Sequence, residues 1–121
     1  DKKIMFYDAK LDLDKIRKLE NIFSIFYGEK FLGIIQIIKI EGNNVHLGRF
    51  ILNPQKAGQG LGKNVLGAFV QHIFEDENID SITLTVFDSN IIAKKLYEKL
   101  DFKIDKVIEC PNLKYIMKRT R

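Results

Sequence analysis

Hydrophobic positions along this chain switch between a period near two and a period near four. Asn21 to Tyr27 is aromatic and β-branched, and Gly28-Glu29 follows as a turn. Phe31 to Ile40 is rich in Ile and closes on Glu41-Gly42-Asn43-Asn44, a strong turn signal. The two runs predict a β-hairpin, and Val45 to Leu52 predicts the next strand, ended by Asn53-Pro54. Leu61, Val65, Phe69 and Ile73 then form one stripe of a helix running to about Asn78. In Ser81 to Phe87 the side chains alternate, with Ile82, Leu84 and Val86 on one face and Thr83, Thr85 and Phe87 on the other. Asp88-Ser89-Asn90 offers helix caps, and a second helix follows to Leu100 with Ile92, Leu96 and Leu100 inward. Phe102 to Cys110 and Leu113 to Lys118 read as two last strands around Pro111-Asn112. Ahead of all these, Leu11, Leu13, Ile16 and Leu19 give Lys10 to Glu20 the pattern of a short surface helix.

The middle of the chain is therefore strand, glycine loop, helix, strand. A helical crossover of that length favours parallel neighbours joined right-handedly. The outer hairpins are antiparallel, so the sum is a mixed sheet with helices packed on it. The chain has 121 residues, the size of one domain. Its longest apolar run, Phe31 to Ile40, is broken by Gln36 and Lys39 and falls short of the ~20 residues of a membrane span. The net charge of +4 is scattered among acids, which describes a solvated surface with a mild preference for anionic ligands. Aromatics in strand patterns without an interleaved basic patch disfavour nucleic acid. Cys110 is the only cysteine. It has no internal disulfide partner, which fits a reducing, cytoplasmic setting. Glu109-Cys110-Pro111 points to neither a metal site nor a nucleophile, and no metal is expected.

The stretch Leu52-Asn53-Pro54-Gln55-Lys56-Ala57-Gly58-Gln59-Gly60-Leu61-Gly62-Lys63 carries the chemistry. Glycines alternate between the strand and the helix. Without Cβ atoms such a backbone approaches a ligand closely. The helix start adds unpaired N–H groups and the positive end of its dipole, which together suit a phosphate. Three templates compete. A P-loop requires Gly, four residues, then Gly-Lys-Ser/Thr; Gly62-Lys63 fits, but Ala57 and Asn64 do not. The dinucleotide fingerprint fails as well, because Lys63 or Val65 stands where its third glycine belongs. A tight turn without a ligand is the plain alternative, though three alternating glycines cost more chain entropy than a turn requires.

The third template fits: Ala57 to Gly62 resembles the pyrophosphate loop R/Q-x-x-G-x-G/A of the GNAT family of N-acetyltransferases. Leu84-Thr85-Val86-Phe87-Asp88-Ser89-Asn90 and Ala93-Lys94-Lys95-Leu96-Tyr97-Glu98-Lys99-Leu100-Asp101-Phe102 resemble that family's strand, Asn, A-x-x-L-Y-E-K and Gly-Phe block. Both blocks occur in the family's order, and the resemblance covers roughly Val45 to Phe102. It implies an α/β (α+β) fold, a single domain over residues 1–121. The sheet would be mixed and mostly antiparallel, flanked by helices, with two central parallel strands splayed apart. The family's N-terminal strand or helix is expected to be missing ahead of Asp1.

The resemblance also implies transfer of an acetyl group from acetyl-CoA to a primary amine by direct attack. The acceptor would be a small molecule or a peptide amine, and the protein a monomer or homodimer. The backbone of Phe50 and Leu52 would hold the pantetheine arm. Ala57, Gly58, Gln59, Gly60, Leu61 and Gly62 would hold the pyrophosphate, with Lys56 or Lys63 assisting. Asn90 would bond the arm from the far side. Tyr97, about two helical turns later, would be the general acid for the departing sulfur, unless it is simply an amphipathic aromatic packed beside Leu96 and Leu100. Two positions depart from the pattern. Ala57 replaces Arg or Gln, which shifts load onto backbone amides. Asp101 replaces Gly at a position that favours positive φ, which Asp tolerates. The base is not evident. Thr85 stands where many members carry Glu, His46 reads as a residue facing solvent or a sheet neighbour, and His72 as a surface residue. A non-catalytic module that binds CoA or acyl-CoA is the competing function.

Overall fold

The computed structural model describes residues 4–8, 21–53 and 60–121. Its elements are β1 (Ile4–Asp8), β2 (Asn21–Tyr27), β3 (Lys30–Glu41), β4 (Asn44–Leu52), α1 (Leu61–Phe74), β5 (Ser81–Phe87), α2 (Ile91–Lys99), β6 (Lys103–Ile108) and β7 (Lys114–Thr120). The strands form one seven-stranded sheet in the order β1-β2-β3-β4-β5-β7-β6. Every neighbouring pair is antiparallel except β4 and β5, which run parallel. This is the mixed sheet expected from the alternation of hairpins and one helical crossover. The expected helix at Lys10 to Glu20 lies outside the described residues.

The core lies between the sheet and α1. Val65, Leu66, Phe69, Val70 and Ile73 face Ile25, Ile35, Val45, Leu47, Ile82 and Leu84, all buried. Phe69 meets Phe6 edge-on at 4.8 Å and Phe23 at 5.5 Å between ring centroids, an arrangement that favours the ring quadrupoles. Phe6 thereby ties down β1, a strand the hydrophobic pattern did not single out. Five residues are too few to show a period, and pairing with β2 from Ile4↔Tyr27 to Asp8↔Phe23 supplies the order instead.

Two helix readings are corrected. The first helix stops at Phe74 rather than near Asn78. Asp76 Oδ1 accepts the Asn78 N–H at 2.9 Å, and the Ile79 N–H bonds the Asp76 carbonyl at 3.1 Å. Such a local side-chain bond offers the backbone an alternative to the helix. In α2, Ile92 points outward and is 85% exposed. The packed stripe is Ala93, Leu96, Tyr97 and Leu100, because small Ala93 lets the helix approach and one residue of rotation turns Ile92 to solvent.

Candidate active site between two parting strands

β4 and β5 pair only from Asn44↔Ser81 to Leu47↔Leu84, although β4 continues to Leu52 and β5 to Phe87. The pairing ends where β4 bulges. Two steps on β3, Ile35 to Ile37, face three on β4, Leu47 to Phe50. An extra residue bends its strand and increases the local twist. Gly48 makes the bulge possible, because a Cβ there would lie 2.5 Å from Gln36 Oε1 and 2.6 Å from Ile38 Cγ1. Gln36 Oε1 instead accepts the Arg49 N–H at 3.1 Å. Beyond the bulge β4 stays bound to β3, with the Asn53 N–H on the Leu32 carbonyl. Strand alternation then directs the amides of Arg49, Ile51 and Asn53 toward β3. Those of Phe50 and Leu52 face the opening. The parallel strands are splayed, as the sequence led us to expect.

The closed end of the opening is clasped by side chains. Ser81 Oγ donates to Asn44 Oδ1 at 2.7 Å, and Asn44 Nδ2 donates to Thr83 Oγ1 at 3.0 Å. His46 Nδ1 lies 2.7 Å from the same Thr83 oxygen. Burial, helped by the charge of Lys39, lowers the His46 pKa below 6.5, so the ring is neutral at pH 7. His46 thus faces a sheet neighbour, one residue before the strands separate. His72 is exposed, stacked on Phe6 and 3.7 Å from Glu75.

A groove of about 610 Å³ extends from the opening, walled by Phe50, Leu52, Leu96 and Tyr97 and reaching the start of α1 at Gly60 to Lys63. Gly60 caps α1 in the left-handed conformation, φ 75°, with no side-chain cap and no acid in the first turn. The first intrahelical bond runs from the Asn64 N–H to the Gly60 carbonyl at 3.2 Å. The amides of Leu61, Gly62 and Lys63 thus have no partner within the helix. Ala57, Gly58 and Gln59, with Lys56, lie outside the described residues.

α2 contributes the opposite wall. Asn90 Oδ1 accepts the Ala93 N–H at 3.1 Å and caps the helix, which leaves the Asn90 Nδ2 hydrogens to donate. Asp88, at the preceding turn, accepts from the Tyr115 hydroxyl at 2.7 Å and from Lys94 Nζ at 3.0 Å. These donors, Tyr115 first, lower the Asp88 pKa. At the far end the Phe102 N–H bonds the Tyr97 carbonyl and the Asp101 N–H bonds that of Glu98, at 3.0 and 3.1 Å. With Asp101 at φ 67° this is a Schellman closure. Its hydrophobic contact is the Tyr97 ring against Phe102, 6.1 Å between centroids. The closure orients Tyr97, whose hydroxyl has no hydrogen bond among the described residues. Burial raises its pKa above 10.0, so it is protonated at neutral pH. Phe50, Leu52, Gly60 to Lys63, Asn90 and Tyr97 thus border one groove.

The chain is similar to known acetyltransferases in sequence and in shape. The spermine/spermidine N(1)-acetyltransferase of Bacillus subtilis is 32% identical over 78 residues, 64% of this chain and 51% of that protein. The chain thus spans about half the length of that relative. Spermidine N-acetyltransferase from Vibrio cholerae, solved with CoA and spermine, superposes with a TM-score of 0.79 at 18% identity, covering 89% of this chain and 70% of that one. An aminoglycoside acetyltransferase solved with coenzyme A and kanamycin superposes with a TM-score of 0.75 at 20% identity, covering 88% and 70%. At these identities the superpositions speak to the fold. The profile of the Acetyltransferase (GNAT) family matches residues 3–102, and the chain belongs to that family.

Proposed function

We propose that this chain transfers an acetyl group from acetyl-CoA to a primary amine by direct attack. The observation that carries the proposal is the opening between β4 and β5, where the Phe50 and Leu52 amides point into a groove that ends on a helix N-terminus. An amide-bearing pantetheine arm can pair with that backbone as an added strand would. The amides of Leu61, Gly62 and Lys63, without partners inside the helix, suit the diphosphate, which is what the loop motif from Ala57 implies. Asn90 Nδ2 donates to the arm. Tyr97 holds its proton at neutral pH and gives it to the sulfur as the carbon–sulfur bond breaks. His46, neutral and one residue from the parting strands, is our candidate to take the proton released by the attacking amine. Relatives that act on spermine and spermidine support a small polyamine as acceptor.

Thiol release from acetyl-CoA, followed with spermidine, spermine, an aminoglycoside and a peptide N-terminus, tests the proposal. Acceptor-dependent release is the expected result. CoA binding without release for any acceptor would instead favour the non-catalytic CoA-binding module, which Ala57 and the lack of a carboxylate at Thr85 motivate.

A further inference from the structure

His46 and Thr83 lie on the sheet face away from α1, because their neighbours Val45, Leu47, Ile82 and Leu84 are buried in the core beneath that helix. His46 Nδ1 is 2.7 Å from Thr83 Oγ1, while Nε2 has no hydrogen-bond partner among the described residues. The Asn44 amide has a fixed direction: its Oδ1 takes the Ser81 hydroxyl proton, so its Nδ2 donates to Thr83. A threonine hydroxyl carries one hydrogen and two lone pairs. Asn44 uses one lone pair, and the other remains for the ring. No carboxylate lies within ion-pair distance of His46 among the described residues. The charges around it are Lys39, directly across on β3, Glu41, which pairs with Lys39 at 3.3 Å, and Lys118, across from Thr83 on β7. A carboxylate at Nδ1 would stabilise the imidazolium, whereas a neutral hydroxyl orients the ring and leaves it uncharged.

We propose that Thr83 is a positioning residue: its Oγ1 accepts from His46 Nδ1–H as well as from Asn44 Nδ2, which holds the neutral ring in the tautomer whose Nε2 lone pair is free. The inference rests on the acetyl-transfer reading above and deepens it by naming the atom that receives the amine proton. The reverse direction, with Thr83 donating to Nδ1, puts the ring proton on Nε2 and occupies the ring's one available lone pair. Such a ring takes up a proton only by breaking its bond to Thr83. With Nδ1–H donating, the reaction disturbs nothing in the clasp. The amine nitrogen bonds the thioester carbon and loses one proton to Nε2. The carbon–sulfur bond breaks, and the departing sulfur takes its proton from Tyr97. The imidazolium keeps the same Nδ1–H bond and passes its added proton to water, and Tyr97 regains one from water.

Proton–nitrogen correlation spectra of the imidazole ring at neutral pH, where His46 is uncharged, test this without any turnover. The chain has two histidines, so His72→Gln leaves His46 as the single ring observed. Nδ1 should be the protonated nitrogen and Nε2 the bare one; the opposite assignment would overturn the proposal. In Thr83→Val the ring should redistribute toward the Nε2–H form, and kcat/KM for spermidine should fall roughly 3- to 10-fold, the scale of one hydrogen bond, with CoA affinity unchanged. Thr83→Ser keeps the oxygen and should restore both the tautomer and the rate. A serine variant as impaired as the valine one would assign the effect to packing of the methyl group and refute the positioning role, as would a valine variant with wild-type tautomer and rate. The stability lost with the stranded Asn44 amide appears in thermal unfolding rather than in the ring spectrum. Failure of the wild type to acetylate any amine would sink the acetyl-transfer reading, a separate result that leaves the tautomer assignment standing or falling on its own spectrum.

Discussion

Tyr97→Phe separates catalysis from packing more cleanly than any other change in this molecule. The ring stays, and with it the edge contact to Phe102 at 6.1 Å. Only the hydroxyl goes, and it has no hydrogen-bond partner among the described residues. Removing such a group leaves no partner stranded, so stability should change by less than about 0.5 kcal/mol. The effect on turnover should be larger. General acids contribute roughly 10²- to 10⁴-fold, but an alkyl thiol has a pKa of about 8.5 and leaves with modest help. The effect should therefore sit at or below the low end: kcat should fall about 10- to 100-fold, ~1.4–2.7 kcal/mol. CoA affinity should hold within about 2-fold, since the hydroxyl acts on charge that develops only as the bond breaks. The assay is thiol release under saturating acetyl-CoA and spermidine, alongside thermal unfolding and CoA titration. The pH profile adds a sign. A tyrosine whose pKa is raised above 10.0 remains an acid through neutral pH, so its loss of activity belongs to the limb above pH 10. A variant that keeps full turnover would remove Tyr97 from the mechanism.

Asn90→Asp should retain the helix cap and lose the Nδ2 donor, so CoA affinity falls while thermal stability holds. Asn90→Ala should lose both, with about 1 kcal/mol of stability; equal stability of the two variants would contradict the capping geometry. Gly48→Val should push into Gln36 and Ile38, break the Arg49 bond and cost about 1–3 kcal/mol, read by chemical denaturation. An unperturbed variant would show that the bulge does not depend on glycine. His46→Gln should remove the inflection in kcat/KM that falls below pH 6.5, where the wild-type ring takes up a proton and activity drops; an unchanged inflection would clear His46 of any role as a base.

Strand and helix order was legible because each element carries its own period, and Asp101 was legible because the resembled block has Gly there, where the Schellman closure requires one left-handed residue. The face of α2 was not. Ile92, Leu96 and Leu100 fit a four-residue repeat, yet Ala93, Leu96, Tyr97 and Leu100 fit the same helix, and residue size at the contact decided between them. β1 was missed because its order comes from Tyr27 to Phe23 across the sheet rather than from its own residues. Gly60 to Lys63, Asn90 and Tyr97, which the motifs singled out, border one groove. The bulge was silent: Val-His-Leu-Gly-Arg-Phe-Ile-Leu reads as an unbroken strand, and only its register against β3 reveals the shift.

The clasp of Ser81, Asn44, Thr83 and His46 has a thermodynamic corollary. It pins the vertex of a wedge whose spread follows the local bulge in β4, so the slot exists before any guest arrives. A guest entering a prebuilt slot forfeits little chain disorder in its host. Association should then be quick, with an enthalpy that reflects contacts made rather than a sheet pried apart.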